Sequence, residues 1–177
     1  TFMVAAVISK GDLVIENIIP THLYPIIAKL QETGAQLDEM DGGIRVRAGE
    51  CILPVDIKTL PYPGFPTDMQ SQMMALLALA RGSSVIVENV FENRFQIVDE
   101  LKRMGAHIKV EGHTAVVQGV RNLFGARVKA TDLRAGASLV LAGLAAQGIT
   151  EIEKAQHIFR GYENIVEKLR DVGANVE

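Results

Sequence analysis

A chain of 177 residues, 48% of them apolar, can bury a continuous core, yet no stretch approaches the roughly 18 uninterrupted apolar residues of a membrane span. A net charge of −3 gives no general attraction for nucleic acid or an anionic membrane, so any anion would have to be held by a local group of arginines. Cys51 is the single cysteine, which excludes an intrachain disulfide and a cysteine metal site; beside Ile52 and Leu53 it reads as an ordinary strand-edge thiol.

The chain opens at Thr1 inside an apolar run, TFMVAAVIS, with no secretory leader pattern, as a cytoplasmic protein would. It stops at Glu177 just after a strand begins, so both ends read as cut and the whole as a piece of a longer protein. Between them one unit occurs three times. Gly11, Gly82 and Gly148 each follow an apolar helical run and precede a short β-rich segment. A second helix then ends at Gly34, Gly105 and Gly173. Counting back from these, the eighth residue is Ile26, Ile97 and Ile165, the seventh Ile27, Val98 and Val166, and the fourth Leu30, Leu101 and Leu169. That is one buried helix face repeated at three places.

The middle copy reads as strand VDIKT, a helix over 67–81, strand SSVIVENV, a helix over 93–104, and the strand pair AHIKVEG and TAVVQG, hence βαβαββ. The first copy (about 1–50) lacks the opening strand and the third (about 121–177) lacks the closing pair, leaving about 51–120 for the complete one. A period of about 70 residues is too long for a common solenoid. The expected fold is therefore one α/β domain with a pseudo-threefold repeat, helices inside and sheets outside. MVAAVIS, MMALLALA and ASLVLAGLAA, apolar around most of their circumference, are the expected central helices. LPYPGFP reads as a rigid link between copies rather than a domain boundary.

Departures from the repeat point to chemistry. Arg94 and Arg160 lie twelve residues after their turn glycines, where the first copy has Leu23, and Arg134 falls in the first turn of another helix. All three are expected at or near helix starts. A cation is normally disfavoured there, so an anion is expected to join them, unless each pairs with Glu92, Asp132 or Glu163 nearby. Thr67-Asp68 and Thr131-Asp132 open equivalent helices. Thr67 and Gln70 have the spacing of a capping box, which would leave Asp68 free as a general base unless it merely complements the helix dipole. His22, His107 and His113 have no partner at metal-ligand spacing, and His157 is the only histidine near the arginines.

PGFPTDMQ, VFENRF, RMGA, ATDLRA, LVLAG and RGYE, in this order, closely resemble the bacterial UDP-N-acetylglucosamine enolpyruvyl transferases (1-carboxyvinyltransferases) from Thr1 to Glu177, about the C-terminal two-fifths of that family's length. The resemblance implies a two-domain inside-out α/β fold, each domain built from three βαβαββ units with the site in the cleft between them. It implies transfer of the enolpyruvyl group of phosphoenolpyruvate to the 3′-hydroxyl of UDP-N-acetylglucosamine, the first committed step of peptidoglycan synthesis, without cofactor or metal. By motif, Asp68 takes the hydroxyl proton, and Val90 and Phe91 belong to the nucleotide-sugar site. Arg94, Arg134 and Arg160 are cleft arginines, Arg160 facing the phosphate, and Asp132 orders the site. The family's proton-donating cysteine and an anion-binding lysine belong to its N-terminal part, the expected partner of this chain; Cys51 does not match that position. The chain alone is therefore expected to be inactive. Phe159 stands where the family usually has an acid. The alternatives are a shikimate enolpyruvyl transferase, against which PGFPTDMQ and VFENRF speak, and a non-catalytic module that binds a nucleotide sugar.

Overall fold

In the computed structural model, which describes residues 1–177, the first unit runs α1 (Phe2–Ile8), β1 (Asp12–Glu16), α2 (Tyr24–Glu32), β2 (Gln36–Met40) and β3 (Gly43–Arg47). Its sheet has the order β1-β3-β2, both pairs antiparallel. The second is complete: β4 (Ile57–Lys58), α3 (Gln70–Leu77), β5 (Ser83–Val87), α4 (Ile97–Arg103), β6 (His107–Glu111) and β7 (Thr114–Gln118). Here β4 pairs parallel with β5, and the antiparallel ladder continues through β7 to β6. The third has β8 (Arg127–Lys129), α5 (Leu133–Ala145), β9 (Glu151–Glu153), α6 (Gln156–Phe159) and α7 (Ile165–Asp171), with β8 and β9 parallel.

The threefold repeat is thus as expected, and α1, α3 and α5 pack on one another at the centre. Every residue of α3 is buried, the apolar Met73–Leu77 stretch together with the polar Gln70, Ser71 and Gln72 of its first turn. In β5 and β7 buried positions alternate with more open ones, one face on the helices and one outward. On the outer face of the first sheet Arg45 forks onto Asp12 at 2.9 and 2.6 Å and holds that carboxyl below its ordinary range.

Gly34, Gly105 and Gly173 close their helices at φ of 93°, 93° and 94°, the left-handed conformation that a side chain resists. The other glycine set is less uniform: after α1 it is Lys10, not Gly11, that takes positive φ, at 58°. The predicted 67–81 helix is shorter than expected. It begins as a 3-10 turn over Thr67–Met69, becomes α3, and unwinds after Leu77.

Gly119 marks the tightest backbone approach, since a Cβ there would overlap the carbonyl of Ala80 at the end of the central-helix segment. Neither backbone can yield without moving β7 off the helices. Gly119→Ala is expected to cost about 3 kcal/mol, a fall of roughly 6–12 °C in melting temperature. A variant melting within about 2 °C of the parent would show that the strand yields instead.

Candidate active site

The link ahead of α3 is built to hold its shape. Pro66 is extended at φ −73° and ψ 135°, and Gly64 is so close to Leu60 that a side chain there would collide with it. Asp68 follows in the 3-10 turn with its side chain 52% exposed, so a half-solvated carboxylate stands at the end of a stiff approach.

Two arginines from other parts of the chain converge on it. Arg134 Nη2 donates to Asp68 Oδ2 at 2.7 Å, and Arg94 Nη2 lies 3.6 Å from Oδ1. The bond to Asp68 raises the pKa of the Arg134 guanidinium further, keeping it a permanent cation. Arg94 opens the 3-10 turn ahead of α4, after Asn93 in the left-handed conformation, and its guanidinium lies 4.7 Å from the centre of the exposed Phe91 ring. The ring face there attracts the cation and helps to hold it beside Asp68. None of the local acids considered as partners, Glu92, Asp132 or Glu163, pairs with these arginines; Asp68 does.

Asp132 has a different part from Asp68, although the repeat makes them equivalent. It caps α5, its Oδ1 accepting from Arg134 N at 2.8 Å and Ala135 N at 2.9 Å. The cap fixes the first turn of the helix and so the direction in which Arg134 leaves it. Asp132→Ala is expected to lower stability by about 1 kcal/mol while Asp132→Asn, which can cap equally well, stays near the parent. Equal melting temperatures for all three proteins would discount the cap.

Two expectations are corrected. The capping box is not made: Thr67 Oγ1 donates to Glu88 Oε2 at 2.8 Å, and no side chain caps either the 3-10 turn or α3. A buried carboxylate in reach is a stronger acceptor for the hydroxyl than a helix N–H is a donor to it. Arg160 does not begin a helix either; it ends α6, where a cation complements the dipole. It is exposed, joined to the Asp68 group by no hydrogen bond or ion pair, and lines an open depression of about 650 Å³ with Phe159, Tyr162 and Glu163. Its segment nevertheless reaches the same end of α5, because Gly161 packs closely on Leu133, the residue before Arg134. Val90 and Phe91 stand exposed beside Arg94.

Tyr162, quoted within RGYE but given no role from sequence, ties this segment down. Its hydroxyl is 2.7 Å from Thr1 Oγ1 and 3.4 Å from Gln72 Nε2. Glu88, also unassigned from sequence, lies buried behind the site at 1% exposure. No cluster of metal-ligating side chains is present.

Three βαβαββ-type units around a helical centre define an inside-out α/β domain, and two arginines meet one half-exposed carboxylate at its surface. The EPSP synthase (3-phosphoshikimate 1-carboxyvinyltransferase) model matches residues 1–169, and the chain belongs to that family. It is 63% identical over 176 residues to a UDP-N-acetylglucosamine 1-carboxyvinyltransferase of Desulfofundulus thermocisternus, covering 99% of this chain and 72% of that one. It is 59% identical to a UDP-N-acetylglucosamine 1-carboxyvinyltransferase 1 of Caldanaerobacter subterraneus subsp. tengcongensis, with 99% of this chain against 42% of the relative. The chain therefore spans well under half the length of that relative. Among solved structures, the enolpyruvyl transferase NikO from Streptomyces tendae superimposes with a TM-score of 0.88 at 29% identity, covering 99% of this chain and 42% of that one. An EPSP synthase from Acinetobacter baumannii, at 21% identity and a TM-score of 0.79 over 99% of this chain and 45% of its own, shares the fold.

Proposed function

We propose that this chain forms one wall of the active site of a cytoplasmic, two-domain transferase that moves the enolpyruvyl group of phosphoenolpyruvate onto the 3′-hydroxyl of UDP-N-acetylglucosamine and releases phosphate, opening peptidoglycan synthesis. The observation that carries it is Asp68, exposed and forked by Arg94 and Arg134 at 3.6 and 2.7 Å, in a sequence 63% identical to an enzyme bearing that activity in its name.

The chemistry asks for such a group. Phosphoenolpyruvate carries close to three negative charges, and planar guanidinium forks neutralise carboxylate and phosphate oxygens two at a time. A proton added to its methylene carbon makes C2 electrophilic. The sugar O3′ then bonds to C2 as Asp68 accepts the hydroxyl proton, giving a tetrahedral adduct. Loss of a proton from the new methyl group and departure of phosphate restore the double bond. Arg94 and Arg134 hold the anion beside Asp68, Arg160 receives the phosphate, Val90 and Phe91 offer an apolar wall to the nucleotide sugar, and Asp132 keeps Arg134 aimed. The proton donor belongs to the other domain, so this chain by itself turns nothing over.

The test is phosphate release from phosphoenolpyruvate by the full-length protein, with UDP-N-acetylglucosamine or shikimate 3-phosphate as acceptor. Release with the nucleotide sugar alone is expected. Turnover with shikimate 3-phosphate, or no turnover with either, would overturn the assignment.

A further inference from the structure

The repeat places a glutamate at or just past the end of the corresponding strand in every unit: Glu16 and Glu153 are the last residues of β1 and β9, and Glu88 follows β5 directly. Two behave as that position suggests. Glu16 is exposed, and Glu153 is exposed and pairs with Arg127 at 2.7 Å on the surface. Glu88 alone turns inward, to 1% exposure, with no cation against it. Burying a carboxylate away from any cation is costly unless its lone pairs are met by donors.

They are met by four donors from three segments. Oε1 accepts from the Thr59 hydroxyl at 2.7 Å, from Val90 N at 2.8 Å and from Phe91 N at 3.1 Å. Oε2 accepts from the Thr67 hydroxyl at 2.8 Å. Thr59 is itself fully buried and receives Asn89 N at 2.9 Å. One carboxylate therefore joins the segment that ends in Asp68 to the segment that presents Val90, Phe91 and Arg94. These two segments belong to different connections of the second unit, each with no regular structure beyond a single 3-10 turn, Thr67–Met69 in one and Arg94–Gln96 in the other.

We infer that Glu88 is a positioning residue: it sets the spacing between the Asp68 wall and the Phe91–Arg94 wall of the site without touching substrate. This rests on the reading of Asp68 as the proton acceptor, and it divides into two separable arms. The Oε2 arm governs where Asp68 stands and hence the rate of proton acceptance. The Oε1 arm governs the Val90–Phe91 turn and hence the fit of the nucleotide sugar. A carboxylate is acceptor-only and suits all four donors. A glutamine keeps one oxygen for the Oε1 arm and turns its NH2 towards Thr67, whose hydroxyl can reverse to accept. The geometry, not the charge, is what the site needs from this position.

The full-length protein serves for the test, with kinetics on both substrates and hydrogen exchange of the Val90 and Phe91 amides. Glu88→Ala is expected to speed exchange at both amides at least tenfold and lower kcat/KM about thirtyfold or more, and Glu88→Gln to recover most of both losses. Thr67→Val, which cuts only the Oε2 arm, is expected to lower kcat several-fold with KM for the nucleotide sugar unchanged, a split that general loosening of the fold would not give. If Glu88→Ala fails to fold, Glu88→Gln and Thr67→Val still decide. Equal loss in the Gln and Ala variants, unchanged amide exchange in Glu88→Ala, or a Thr67→Val effect confined to KM would each overturn the inference. A parent without turnover would sink the reading of function, and exchange alone would then judge the clamp.

Discussion

Asp68→Asn in the full-length enzyme is expected to lower kcat about a hundredfold to ten-thousandfold, the usual worth of a positioned general base. The same substitution is expected to tighten binding of the anionic substrate. In the free chain both Asp68 oxygens face guanidinium groups, so an incoming anion competes with an internal one. Removing that charge leaves Arg94 and Arg134 unopposed. Because Asp68 is half exposed, the competition it offers is modest, about 0.2–1 kcal/mol, which predicts up to about a fivefold lower KM for phosphoenolpyruvate. Steady-state kinetics on both substrates decide. A fall in kcat accompanied by weaker anion binding would mean that Asp68 organises the arginines instead of competing with their ligand. Turnover within about tenfold of the parent would remove Asp68 as the base.

How much of this was legible beforehand follows the range of the interactions. The three-unit fold was readable because each unit announces itself locally, through a stripe such as Ile97, Val98 and Leu101 and a glycine at φ near 93° after it. Arg134 stood out in the sequence as a cation expected in the first turn of a helix, and Asp68 as a carboxylate at the end of a Pro-rich link. Their contact was not legible, since 66 residues separate them and no periodicity reports a meeting between two helix starts. Thr67 shows the opposite failure. Its spacing to Gln70 is a sound local signal, overridden by a buried carboxylate 21 residues away. Arg160 was placed by analogy with Arg94, but its unit inserts the one-turn helix α6 just before it and so reverses the end at which the arginine sits. Glu88 carried the faintest trace. It looks like Glu16 and Glu153 in sequence, and only the surrounding donors set it apart.

Arg134→Ala provides the second large effect, and it separates the site's roles from its stability. As an ion pair, Arg134 with Asp68 is partly solvated, with side-chain exposures of 33% and 52%, and contributes at most about 1 kcal/mol to folding. The melting temperature is therefore expected to move by less than about 4 °C. On the proposed reading, a phosphorylated substrate enclosed by a second domain would desolvate the same guanidinium, and its removal is expected to cost about 2–4 kcal/mol, or roughly thirtyfold to a thousandfold in kcat/KM. Lysine keeps the charge but not the fork, and its chain leaves the capped first turn of α5 without a planar group to span two oxygens. Arg134→Lys should accordingly recover only part of the loss, remaining about tenfold below the parent. Full recovery by lysine would reduce Arg134 to a point charge, and the orienting cap from Asp132 would then have no catalytic purpose. Kinetics within fivefold of the parent for the alanine variant would mean that Arg94 and Arg160 hold the anion without it, leaving Arg134 only to restrain Asp68 while the cleft is empty.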